Sequence, residues 1–153
     1  MSIEAPLSRY KRNNILIFIA VLLGCAAWFA YDGYFNDSFI EKHTNEQGEP
    51  DSTLAFNRKA PPIFVLAAAA VGAYLAAIRK KRLLADETAL VVDGAERIPY
   101  DCIEKIDKTN LDRKGYFVIT CKKSDGTEFE RRFRDTTYDN LRTVLDHLVD
   151  KIT

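Results

Sequence analysis

Residues 60–78 carry no charge, and four consecutive bases follow them: Arg79, Lys80, Lys81 and Arg82. As a helix this run is about 28 Å long, close to the hydrocarbon thickness of a bilayer. A second uncharged run, residues 15–30, reads ILIFIAVLLGCAAWFA; its end carries Trp28 and Phe29, with Tyr31 just beyond, aromatic residues suited to a membrane interface. The pair predicts a transmembrane helix over 15–31, a second over 60–78 and an extracytoplasmic loop over 32–59. A cleaved signal peptide is the rival reading of the first run, because its start is basic and its middle apolar. Bulky Trp28, Phe29 and Tyr31 spoil the small-residue cleavage pattern, so a retained helix is the preferred reading.

Charge sets the expected orientation. Arg9, Lys11, Arg12 and the block Arg79, Lys80, Lys81, Arg82 flank one side of the two runs, whereas only Lys42, Arg58 and Lys59 flank the other. Bases beside short spans stay in the cytoplasm. Both termini are therefore expected there, in the inner or plasma membrane, with residues 1–14 as a short cytoplasmic segment. The loop is rich in turn formers at 44–53 (Asn45, Gly48, Pro50) and is expected to be mostly irregular. Pro61 and Pro62 are expected to open the second helix, where a missing N–H costs little. Ala68, Gly72 and Ala76, with Ala20, Gly24 and Ala27 in the first run, allow close helix approach. Packing within one hairpin is the simplest use of them, and a homodimer is the alternative.

Beyond the basic block the pattern changes to short strands and one helix. Residues 88–92 (TALVV) read as a strand stopped by Asp93-Gly94; 96–100 and 101–108 are two further extended pieces; 111–115 (LDRKG) is a turn. Residues 116–122 and 127–133 form a hairpin whose register the core selects. A loop of Ser124, Asp125 and Gly126, with the glycine left-handed, sets Lys122 opposite Glu128, Cys121 opposite Phe129 and Phe117 opposite Phe133. That register gathers Phe117, Ile119, Cys121, Phe129 and Phe133 on one face. Arg131 is left on the same face without an evident partner. Tyr138, Leu141, Val144, Leu145, Leu148 and Ile152 then make one helical stripe, expected to cover that face, with Asp135 or Thr136 as its cap.

The run IPYDCIEKIDK (98–108), the basic turn ending in Gly115, the strand YFVITCKK and the closing amphipathic helix resemble bacterial pleckstrin-homology-like (PH-like) domains found beside membrane helices. The stretch AWFAYDGY (27–34) is similar to the end of the first helix in two-helix envelope proteins carrying such a domain. The resemblance implies a fold of the α+β type over 79–153, a partly open antiparallel barrel closed by a C-terminal helix and used for binding.

Signatures of chemistry are missing from the sequence. It has two histidines, His43 and His147, and three cysteines without C-x-x-C spacing. G-x-S-x-G, H-E-x-x-H, P-loop and G-x-G-x-x-G motifs do not occur. Asp101, Glu104 and Asp107 read as a solvated face, so neither catalysis nor a cofactor or metal is expected. From residue 83 onward there are 12 bases and 15 acids, a net of −3, whereas a nucleic-acid module is distinctly basic. The expected role is a non-catalytic, membrane-tethered scaffold whose partners are the bilayer and another membrane or cytoplasmic protein. A sensor of anionic lipid headgroups and an accessory subunit of a larger membrane complex are the alternatives. Contact residues for lipid or partner are expected at Arg79, Lys80, Lys81, Arg82, Lys105, Lys108, Arg113 and Lys114.

Overall fold

The structure, a computed structural model, describes residues 2–123 and 125–152. The chain forms two compact units, residues 13–77 and residues 1–12 together with 78–153. The first unit is helical. Helix α1 covers Arg9–Tyr34, and its first turn belongs to the other unit; α2 covers Asp37–Lys42 and α3 Ser52–Ile78. Both α1 and α3 are long and apolar enough to cross a membrane. Large side chains such as Ile17, Phe18, Trp28, Ile63 and Leu66 are exposed along them.

Two expectations for this unit are corrected. The connector is not mostly irregular, because Asn36 caps α2 (Phe39 N–H to Oδ1, 3.3 Å) and Asp51 caps α3 (Leu54 N–H to Oδ1, 2.8 Å). Nor do Pro61 and Pro62 open α3; they lie inside it, a full two turns past the cap. A proline in a helix interior leaves the carbonyl four residues earlier without its donor. Here the Arg58 carbonyl, orphaned by Pro62, accepts the Tyr34 hydroxyl at 3.0 Å. Arg58 in turn donates its Nε–H to the Gly33 carbonyl at 2.9 Å. A Cβ on Gly33 would stand 3.0 Å from the Asn57 carbonyl oxygen, so any larger residue would press the two backbones apart by a few tenths of an ångström. Phe29 closes the same end of the hairpin, stacked on Phe64 and edge-on to Phe56.

The second unit consists of two antiparallel sheets and a helix. Strands β1 (Ile3–Pro6), β2 (Arg82–Ala85), β3 (Ala89–Val92) and β4 (Glu96–Pro99) make a four-stranded sheet in that order. After a 3₁₀ turn at Tyr100–Cys102, β5 (Ile103–Asp107), β6 (Tyr116–Lys122) and β7 (Glu128–Arg134) make a three-stranded one. A single helical turn, α4 (Leu111–Lys114), joins β5 to β6 and ends on left-handed Gly115 (φ 66°). The two sheets do not close into a barrel.

β1 has no counterpart in the sequence reading. It pairs with β2 in the register Ile3 with Ala85 through Pro6 with Arg82. Ala5 is wholly buried in the core between the sheets and the closing helix. Residues 6–9 are held from another direction as well: Ser8 N–H reaches the Thr137 carbonyl (2.8 Å), and Asp139 N–H the Pro6 carbonyl (2.9 Å). The Asp139 carboxylate accepts the Arg9 N–H at 3.1 Å, a negative charge at the N-terminus of α1, where the helix dipole favours it.

The β6–β7 register is the expected one throughout, from Lys122 with Glu128 to Phe117 with Phe133, and Gly126 is left-handed (φ 85°); Ser124 lies outside the described residues. Arg131 finds its partner in Glu96 of β4. The closing helix, α5, runs Leu141–Ile152, so Asp135 and Thr136 do not cap it; they lie in the preceding loop, where Asp135 N–H bonds the Gly115 carbonyl (2.8 Å). Tyr138 stands before the helix, Ile152 is exposed, and the buried stripe is Leu141, Val144, Leu145 and Leu148. The stripe meets β1, β2 and the 3₁₀ turn most closely, while Phe117, Ile119, Cys121 and Phe133 complete the same core from the other sheet.

Ala5→Glu places an unpaired carboxylate in this core and is expected to cost about 3 kcal/mol. Glu4→Gln, on the exposed side of the same strand, is expected to change stability by less than about 0.5 kcal/mol. Thermal unfolding of the full chain in mild detergent, followed by near-ultraviolet dichroism, distinguishes the two. Gly33→Ala should loosen the hairpin by about 1–3 kcal/mol, read as faster proteolysis between α2 and α3.

Candidate functional site

A groove of about 680 Å³ opens between the two sheets. It is lined by Glu96, Arg97, Ile98 and Pro99 of β4, by Asp101, Cys102 and Glu104 where the chain turns into β5, and by Lys122, Lys123, Asp125 and Phe129 from the β6–β7 hairpin. β4 and β7 are edge strands, one from each sheet, and among the described residues no ladder joins them. The Arg131–Glu96 ion pair is the side-chain link across this gap.

The groove is mixed in sign and neutralised from within. Lys122 Nζ lies 3.6 Å from Glu104, and Lys123 Nζ stands 5.6 Å over the Phe129 ring. Arg97 bonds the Thr88 hydroxyl at 3.0 Å and reaches Asp86 at 4.0 Å. Hydrogen bonds from the Thr127 hydroxyl and N–H hold the Asp125 carboxyl below the usual carboxylate range. Such exposed pairs contribute at most about 1 kcal/mol each, so a partner's charges can replace them at little cost. Half-buried Phe129 and the apolar faces of Ile98 and Pro99 supply the area that gives such contacts their free energy.

Behind the groove, Tyr100 turns inward and donates its hydroxyl to the Asp86 carbonyl at 2.6 Å. Burial, with a smaller contribution from Asp86, pushes its pKa to about 12. Cys121 is fully buried, and burial followed by the neighbouring Cys102 thiol raises it to about 12, as suits an unreactive core thiol. Cys102 donates to the Pro99 carbonyl at 3.0 Å.

The contact residues expected from the sequence fall into two groups on different sheets. Arg79, Lys80, Lys81 and Arg82 line a hollow shared with Glu4, Pro6, Asp93 and Gly94. Within it Lys81 pairs with Asp93 and Arg82 with Glu4, each at 3.3 Å, while Arg79 and Lys80 are exposed. Asp93 also accepts the buried Tyr138 hydroxyl at 3.0 Å, so the basic block is wired into the fold. Lys105 on β5, Lys108 after it, and Arg113 and Lys114 on α4 all lie along the β5–β6 connection with exposed side chains. Beside them Asp112 pairs with Arg142 at 2.8 Å.

Of the three carboxylates read as a solvated face, Asp101 and Glu104 line the groove and Asp107 bonds Thr109 at the far end of β5. His43 contacts Asp51 at 2.7 Å and His147 faces the Asp86 carbonyl at 3.4 Å. Among the described residues no group of three or more His, Cys, Asp or Glu is placed to hold a metal ion. The groove itself was not legible in the sequence, because β4 and the hairpin tip meet only through tertiary structure. Arg131, an uncompensated charge on an apolar face, was the available signal. Compared with protein families, with curated proteins and with solved structures, the chain matches none.

Tyr100 is neutral when protonated, and its pKa is raised on folding. The stability it contributes is therefore complete below about pH 10, the ordinary tyrosine value, and is lost as pH rises toward 12. Tyr100→Phe should make the fall in melting temperature between pH 9 and 11 shallower than in the parent, a difference that a pH series of thermal melts would read.

Proposed function

We propose that this chain is a non-catalytic integral membrane protein whose two helices carry a cytoplasmic, PH-like domain that binds another protein. The mixed-charge groove between β4 and the β6–β7 hairpin carries the binding part of this reading. Its signs alternate around an apolar centre, which suits a protein surface. A phosphate headgroup wants converging, unpaired bases, and Lys81 and Arg82 are already paired with acids of the same unit. The four- and three-stranded antiparallel sheets with a C-terminal helix support the PH-like reading, once β1 is counted with the strands after α3.

Strand pairing also supports the topology. β1 precedes α1, β2 follows α3, and the two strands are hydrogen-bonded neighbours, so they occupy one compartment. The chain then crosses the bilayer an even number of times, which two spanning helices satisfy. A signal peptide cleaved after the first run would discard β1 and leave the core without Ala5. The excess of bases beside β1 and β2 supports a cytoplasmic location for that compartment.

Two measurements test the proposal. A cysteine introduced at Glu46 should react with an impermeant thiol reagent in intact cells and one at Asp150 should not; the reverse pattern overturns the topology. A photoreactive residue replacing Arg97 should give protein adducts in membranes, and one replacing Arg113 should give no phospholipid adducts. Lipid adducts at 113 with no protein adduct at 97 would favour the headgroup sensor.

A further inference from the structure

The outer edge of β7 has a charge order that matches itself. The Lys123–Thr127 and Asp135–Gly115 backbone bonds, 2.8 Å each, fix which β7 residues bond β6: 129, 131 and 133 face inward across the ladder. Glu128, Glu130 and Arg132 therefore turn their N–H and C=O groups away from the sheet, toward an edge that pairs with no other strand among the described residues, while the Arg134 carbonyl, turned the same way, accepts the Thr137 and Tyr138 N–H groups at 3.0 Å each. All four side chains are exposed. The two acids occupy the first half of the edge and the two bases the second. The arginines rest on the Tyr116 ring, at 4.7 and 6.0 Å, and no ion pair engages any of the four among the described residues.

We propose that β7 pairs antiparallel with β7 of a second copy about a two-fold axis at Arg131, joining the two three-stranded sheets into one. In this register Glu130 meets Arg132 of the second copy as a hydrogen-bonding pair on either side of the axis, and the Glu128 side chain stands opposite Arg134, whose carbonyl is already engaged by Thr137 and Tyr138. Every cross-strand pair on the exposed face is then of opposite sign, the arrangement that stabilises strand neighbours. A slip of two residues one way sets Glu130 against its own copy, and a slip the other way sets Arg132 against its own copy. The charge order thus selects one register as well as one partner. On the inner face Phe129 meets Phe133 of the second copy. Arg131 meets Arg131, each already neutralised by its own Glu96. Charged edges ordinarily keep strands apart; sorted by sign along the strand, these charges attract an antiparallel copy. This edge borders the groove through Phe129 and the Arg131–Glu96 pair, and the two readings are told apart by their readouts, a disulfide at position 131 for the second copy and an adduct at position 97 for the groove's partner.

Disulfide trapping of the full chain in native membranes tests it. Arg131→Cys lies on the axis and should give a covalent dimer several-fold above the parent, whose own three cysteines set the baseline. Adding Glu130→Arg should abolish the gain by opposing arginine to arginine. Adding Arg132→Glu as well should restore it, because the swapped pair is again complementary and Thr120 and Val118, their neighbours on β6, are uncharged. No excess dimer from Arg131→Cys, an undiminished dimer with Glu130→Arg, or failure of the double exchange to restore it would each overturn the proposal.

Discussion

The pairing of β1 with β2 is the constraint on which the sheet domain depends. It adds a fourth strand to the first sheet, supplies Ala5 to the core and gives α5 one of the surfaces it packs on. Four residues make a short strand, too short to be stable alone. It persists because its neighbours act from several directions: the β2 ladder, the bonds from residues 137–139, and the stripe of α5. The same segment leads directly into α1, whose first N–H is received by Asp139. The domain is thus assembled from segments on either side of the helical unit in the sequence.

The helical unit resolves a second constraint. Two adjacent prolines remove two backbone donors from the interior of α3, and each loss would ordinarily cost stability. Tyr34 supplies a hydroxyl to the Arg58 carbonyl, and Gly33 lets the two backbones approach. The irregularity is thereby converted into a contact between α1 and α3. Asp51 serves two neighbours at once, capping α3 with one oxygen and meeting His43 with the other.

How much of this was legible in the sequence follows from which signals are local. The β6–β7 register was, since one choice collects five apolar side chains on a face and the alternative mixes them with charges. The apolar helices were legible for the same reason, as composition over a long window. β1 was not: IEAP is four residues ending in proline, with a single buried side chain, and only tertiary contacts make it a strand. The start of α3 was misread because proline is favoured in a first turn, whereas the Asp51 cap lies ten residues before Pro61 and had no apolar stripe to mark it. Of the candidate site, the basic block was visible as charge, but its neutralisation by Glu4 and Asp93 required two distant segments to meet. The groove, built from two sheet edges, left only the orphan Arg131 as its trace.

The separation between β1 and β2 has a consequence for biosynthesis. Ile3 leaves the ribosome ahead of the helical unit, yet its partner Ala85 follows only after α1, α2 and α3 have been made. At about 5–20 residues per second, the nascent strand waits on the order of ten seconds with its hydrogen-bonding groups unsatisfied by the sheet. The sheet domain can therefore mature only after the whole helical unit has been synthesised. A chain that stalls within α3 leaves β1 without its partner strand and the domain unfolded, so assembly of the domain reports that translation has passed the second helix.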